Sequence, residues 1–180
     1  MAQQKKNWMR KELKGENIMA MKFTGKGLAS AQLSEQKLRG SDFSYADLRG
    51  ANFFSSDLYG AIFFGAMLQK TNFRGARLKH VDFRKSYMND CVLQKALVRL
   101  ANFETAILVG ASLEGSNLQE CIFAGADLRE ARLLSCDFTG SDFSQADLRG
   151  AVYNDKTIWP AGYDPMDYGA IPVDWEVVYT

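Results

Sequence analysis

The chain has 180 residues, room for one domain of ordinary size, with 22 Lys and Arg against 21 Asp and Glu for a net charge of +1. That balance excludes a nucleic-acid binder working by bulk charge and an acidic tail protein. Apolar residues at 47% suffice for a core, and a single histidine, His80, removes most histidine-dependent catalysis.

At the N-terminus, Lys5 and Lys6 are followed by Arg10, Lys11, Glu12 and Lys14, which leaves no uninterrupted apolar stretch for a signal peptide. No run anywhere approaches the ~20 apolar residues of a bilayer span, so a cytoplasmic protein without a membrane span is expected. Residues 1–15 form the first unit, in which QQKKNWMRKELK (3–14) can make a short amphipathic helix with Trp8, Met9 and Leu13 apolar. Three readings stand: a cap for the array that follows, a docking or membrane-surface element, or a disordered segment.

From Ile18 to Ile158 every fifth residue is apolar, 29 in succession. Call this residue the centre. Two places before it, from Ser41 to Ala151, all 23 residues are Ala, Ser, Cys, Thr or Val. One place before it, Asp or Asn occurs 12 times, as at Asp42, Asp47, Asn52 and Asp57, and 12 of the 15 glycines fall in the phase two places after it. A period of five fits neither a helix nor a flat strand. A chain that points one large and one small residue inward every five residues must turn a corner every five residues. Gly and Asx residues supply such corners: Gly accepts φ > 0 and Asx side chains bond nearby backbone.

The centres also say how many corners close a turn. Phe23, Phe43, Phe63, Phe83, Phe103, Phe123 and Phe143 recur at spacing twenty, beside a column of Leu28, Leu48, Leu68, Met88, Leu108, Leu128 and Leu148. Four pentapeptides therefore make one coil, and about seven coils at strand-pairing distance make a square tower roughly 34 Å tall. The expected fold is all-β, a quadrilateral β-helix over residues 16–160 whose hand the spacing leaves open. Residues 16–40 are degenerate, with Met21, Lys26 and Gln36 where small residues belong, so the first coil is expected to be distorted or to begin late. Pro160, Pro165 and Pro172 are the only prolines, and residues 161–180 read as an irregular C-terminal cap in which VDWEVVY (173–179) can pair as a strand.

The A(D/N)LxG motif over at least residues 41–155 resembles the pentapeptide-repeat proteins, and TIWPAGYDPMDYGA (157–170) is similar to the segment that closes cyanobacterial members. The resemblance implies a right-handed quadrilateral β-helix with the centres and small residues inside. It does not imply one activity. Some members resemble B-form DNA in shape and charge, bind DNA gyrase and protect it from fluoroquinolones.

No enzyme, metal or cofactor is expected. Cys91, Cys121 and Cys136 all occupy the small position, 30 and 15 residues apart, and read as substitutes for alanine, with a Cys121–Cys136 disulfide left open. The aspartates belong to the motif, and no phosphate-cradling loop is present. Binding must then be written on outward positions. Tyr45, Ile62, Phe64 and Met67 are expected to lie close together on two sides, with Phe54 and Tyr59 on the opposite sides; Leu97, Leu100 and Ile107 suggest a second cluster, and Arg39, Lys79 and Arg99 a basic stack. Residues 1–40 carry net +6, residues 41–155 net −2 and residues 156–180 net −3. The expected function is a non-catalytic scaffold for an unknown protein partner, a monomer or weak dimer with no direct nucleic-acid contact. The alternative, a DNA-mimic inhibitor or protector of gyrase, needs a strongly negative rod, which these repeats lack.

Overall fold

The computed structural model describes residues 20–173. Each residue before a centre bridges, in parallel, to the residue twenty places on, from Lys22↔Asp42 through to Arg132↔Val152. The four bridge columns are the sides of a square, and the chain is a right-handed quadrilateral β-helix.

The main chain explains the unit of five. The Ala46 N–H donates to the Phe43 carbonyl (3.0 Å), closing a turn over Ser44 and Tyr45. The N–H groups of Phe43 and Tyr45 donate to Ile62 and Phe64 of the next coil (2.7 and 2.9 Å), while that of Asp42 donates to Met21 of the coil before (2.8 Å). Ser44 N–H has no carbonyl to meet and donates instead to Oδ1 of Asp42 (2.9 Å). An Asp or Asn before the centre thus satisfies the one orphan donor of each unit. All twelve such residues from Asp42 to Asp147 make this bond, at 2.8–3.3 Å. Two places after the centre, all 27 corners from Ala20 to Gly150 have φ between 54° and 73°, which is why glycine concentrates there. The other sixteen corners, Thr105 among them, accept ~1–2 kcal/mol of left-handed strain each.

Centres from Phe23 to Leu148 are at most 5% exposed. The rings of Phe23, Phe43, Phe63, Phe83, Phe103, Phe123 and Phe143 stack in one ladder, with centroids 4.7–5.2 Å apart and planes within 17°. Parallel rings at that separation are offset, the favoured geometry, worth ~0.5–1.5 kcal/mol per pair beyond burial. Phe53 and Phe73 enter edge-on from the opposite wall, 5.6–5.8 Å from Phe43, Phe63 and Phe83.

Three expectations change. The first described coil is neither distorted nor late: Phe23 N–H donates to Asp42 (2.7 Å) and Leu28 N–H to Asp47 (2.7 Å), as in later coils. Main-chain bonds hold this coil square, so Lys26 stays exposed and Gln36 turns its amide to its own Ser34 carbonyl (3.0 Å) without cost to the ladder. The phase does not hold to Ile158. One extra residue enters at 154–156, so Ile158 becomes the bridge partner of Asp137 and is 53% exposed, while Trp159 turns inward against Phe138 (5.1 Å). Asn154 seals the slip. Its Oδ1 accepts the Ser135 N–H (2.9 Å), a bond that a backbone carbonyl takes at every earlier corner, and its Nδ2 donates to Ser135 Oγ (3.2 Å).

The C-terminal cap is also less irregular than expected. β1 (Val152–Tyr153) pairs in parallel with β2 (Ile171–Pro172), and between them a 3-10 turn, Pro165–Tyr168, is capped by Asp164, whose carboxylate accepts from Met166 N–H (3.0 Å). Tyr163 lies over Phe143 (5.2 Å), so an aromatic side chain closes the phenylalanine ladder. The helix expected over 3–14, and most of the 173–179 strand, lie outside the described residues.

Candidate functional site

Three thiols are the most reactive side chains in the described interior. Cys91, Cys121 and Cys136 are free and buried. The thiols of Cys121 and Cys136 donate to the carbonyls of Val98 (3.2 Å) and Leu113 (3.0 Å), the same bond that the hydroxyls of Thr71 and Ser141 make to Leu48 and Leu118 (2.9 and 2.7 Å). These two cysteines therefore stand in for serine rather than alanine. Burial pushes both thiols up to about 12 and raises Cys91 likewise, which denies them the thiolate that nucleophiles and metal ligands need. Among the described residues, no group of three or more His, Cys, Asp or Glu could hold a metal ion, and no helix is long and apolar enough to cross a membrane.

The surface is differentiated. At the corner between the side of Phe43 and the side of Leu48, Tyr45 is 61% exposed and meets Phe64 edge-on (5.5 Å). It can lie there because the next corner is Gly65: a Cβ at that position would stand 2.8 Å from the Tyr45 ring. The Arg84 guanidinium and Lys85 ammonium each sit 5.6 Å from the centre of the Phe64 ring. On the adjoining side, Met67 bridges to Tyr87 and Tyr87 to Ile107, an apolar stripe across three coils. Ile62 stands on the Phe43 side between Asp42 and Asp82.

Phe54 and Tyr59 are on other sides, as expected. Phe54 is exposed and has no ring partner among the described residues, whereas Tyr59 lies under the Arg39 guanidinium (4.7 Å) and against the His80 ring (5.4 Å). Leu97, Leu100 and Ile107 do not form the expected cluster. Ile107 belongs to the stripe with Tyr87, Leu100 occupies a left-handed corner, and Leu97 is on the side of Leu58. Their sequence proximity misleads because ten residues carry the chain halfway around a coil. Two surface residues were missed in the sequence, Tyr87 and Arg77. Stepping by twenty from Met67 and from Asp57 reaches both.

Arginines elsewhere neutralise the tower's own acids. Arg49, Arg84, Arg129 and Arg149 each fork onto the Asp two residues earlier, with the closest Nη2 contacts at 2.6–2.8 Å. Hydrogen bonds from these guanidinium groups hold Asp47, Asp127 and Asp147 below the usual carboxylate range. On the side of Leu58 and Leu78 the balance is reversed. There Arg39, Arg77, Lys79 and Arg99 line a concavity of about 400 Å³ with Tyr59, Leu97, Asn117 and a single carboxylate, Asp57.

Comparison with known proteins bears on this geometry. A trypsin-treated form of QnrB1, a plasmid-mediated fluoroquinolone resistance protein, is similar with a TM-score of 0.58 and 22% identity, over 88% of this chain and 92% of that one. HetL, a pentapeptide repeat protein involved in heterocyst differentiation regulation in the cyanobacterium Nostoc sp. strain PCC 7120, has a TM-score of 0.40 and 20% identity, over 91% of this chain and 90% of its own. No curated protein sequence matches the chain. The family model for pentapeptide repeats matches in eight copies, over residues 28–65, 56–94, 86–123, 99–133 and 116–152. With its corners, columns and Asx bonds accounted for, and these matches spanning most of the coils, the chain belongs to the pentapeptide repeat family.

Proposed function

We propose that the chain is a non-catalytic scaffold that captures a protein partner through outward sides of its tower. The observation that carries this reading is the Tyr45–Phe64 pair, flanked by Arg84 and Lys85, beside the Met67–Tyr87–Ile107 stripe. Aromatic, Met and Arg side chains are the types that interfaces favour, and here exposed Tyr45 and Tyr87 are joined by half-buried Phe64, Met67 and Ile107 on an otherwise polar surface. The described interior favours a scaffold, since the Thr71 and Ser141 hydroxyls bond coil carbonyls and burial raises the Cys121 and Cys136 thiols.

The DNA-mimic alternative fits less well. A rod that imitates phosphates needs unpaired carboxylates, and here Asp47, Asp82, Asp127 and Asp147 are each covered by an arginine. The test is affinity capture from the native host, comparing the natural chain with a Tyr45→Glu, Phe64→Glu double variant whose circular dichroism is unchanged. Proteins held by the natural chain and released by the variant are expected. Capture that is identical for both retires this surface. Potent inhibition in a gyrase supercoiling assay would instead select mimicry.

A further inference from the structure

We propose that the concavity on the side of Leu58, Leu78 and Val98 binds a short acidic segment of a partner protein. This rests on the scaffold reading but not on the Tyr45–Phe64 surface, which is at another corner. Four cations meet there against one carboxylate, in a molecule whose net charge is only +1. Arg39 gives part of its charge to Asp57 at 4.0 Å, and Arg99 pairs with Glu120, outside the concavity. Arg77 and Lys79, in the middle, make no ion pair among the described residues. Between the charges lie Tyr59, held under Arg39, and Leu97, 53% exposed. The surface therefore offers a cationic rim around an apolar bed, the complement of a segment in which carboxylates flank a hydrophobic side chain.

Its dimensions suit a peptide. Arg39, Tyr59, Lys79 and Arg99 occupy one column on four successive coils, so the cations span three coil spacings, ~15 Å. About five extended residues cover that length. A nucleic acid would fit less well, because its evenly spaced phosphates would extend past this side onto the adjoining column, where Asp42 and Asp142 carry no arginine among the described residues. The chain's own N-terminal segment is excluded by sign: residues 1–19 hold five Lys and Arg against two Glu.

The probe is a fluorescein-labelled EELEE peptide titrated with the full chain and followed by anisotropy. Saturable binding is expected, weakening as salt rises from about 50 to about 300 mM, as screening requires. The Arg77→Glu, Lys79→Glu double variant should weaken it at least about tenfold, whereas Lys70→Glu, on another side, should leave it within about twofold. Amide shifts in NMR spectra should concentrate at Tyr59, Lys79 and Leu97. Absence of saturable binding overturns the proposal, as does equal weakening by Lys70→Glu. Competition by a short DNA duplex at matched charge would assign the surface to nucleic acid. Tightening by about tenfold on removing residues 174–180, which carry Asp174 and Glu176, would assign it to the chain's own end. A failure of any of these leaves the capture test at Tyr45 and Phe64 untouched, so the two readings fail separately.

Discussion

Around Phe63 and Phe83 each buried ring touches a ring above, a ring below and at least one ring from the facing wall, and four of the five main-chain donors in each unit between them meet a carbonyl. Around Trp159 and Tyr163 the aromatic stack continues, but the indole Nε1 and the phenol oxygen are buried without hydrogen-bond partners. The same contacts thus operate under different constraints. In the middle, a five-residue rule makes ring packing and the main-chain ladder agree, and Gln69 Oε1 is the one buried side-chain polar atom left unpartnered among the described residues there. At the end, one inserted residue breaks that agreement, and large aromatics cover the last coil at the expense of their own polar atoms. A repeat ends where bulk and phase part company, not where hydrophobicity runs out.

That contrast can be broken most severely in the middle. Phe83→Asp places a charge between Phe63 and Phe103, and unfolding in denaturant should show a loss of more than about 4 kcal/mol. Because coils support only their neighbours, the tower should divide there. A natural midpoint for this variant would contradict the stacking. At the end, Trp159→Ala should cost about 2 kcal/mol while Ile158→Ala stays within about 0.5 kcal/mol, since only the first side chain faces inward. The reverse order would show that the phase had never slipped.

Asn154→Ala sharpens the same point. It removes the nearer of the two acceptors of the Ser135 N–H, leaving Thr157 Oγ1 at 3.1 Å, and should cost about 1 kcal/mol in the same unfolding measurement. A neutral result would mean that Thr157 or water seals the slip as well as the Asn154 side chain does. The smallest effect is expected from acid. Asp47, Asp127 and Asp147 are depressed chiefly by hydrogen bonds from their arginines, so their stabilisation is complete above the unfolded carboxylate value, about pH 4, and is lost as pH falls through the folded values. The thermal midpoint should be level above about pH 5 and decline below about pH 4, by less in an Arg49→Gln, Arg129→Gln, Arg149→Gln variant. An equal decline in both would show that the pairs do not contribute.

Much of this was readable from letters alone, for a physical reason. The interior positions recur because every coil offers its centre the same hole, so Phe23 through Phe143 announce both the period and the number of sides. The slip was hidden because Ile158 happens to be apolar at the old spacing. The residues that betray it, Thr157 in a small position and Trp159 beside it, look unremarkable without the hydrogen bonds of Asn154. On the surface, single letters said little. Tyr45 and Phe64 could be grouped by stepping around the coil, but that Tyr45 lies across Gly65, and that Arg39 covers Tyr59, depend on rotamers and on what stands one coil away.

The twenty-residue return has a further consequence for how such a molecule can vary in length. Between Lys22 and Ala151, deleting or duplicating any twenty consecutive residues removes or adds one whole storey and restores every side chain to its own wall. Changing the count by five instead keeps the storeys level but rotates everything above the junction by a quarter turn, bringing leucines over phenylalanines and cations over carboxylates. Length in this molecule is therefore also an angle.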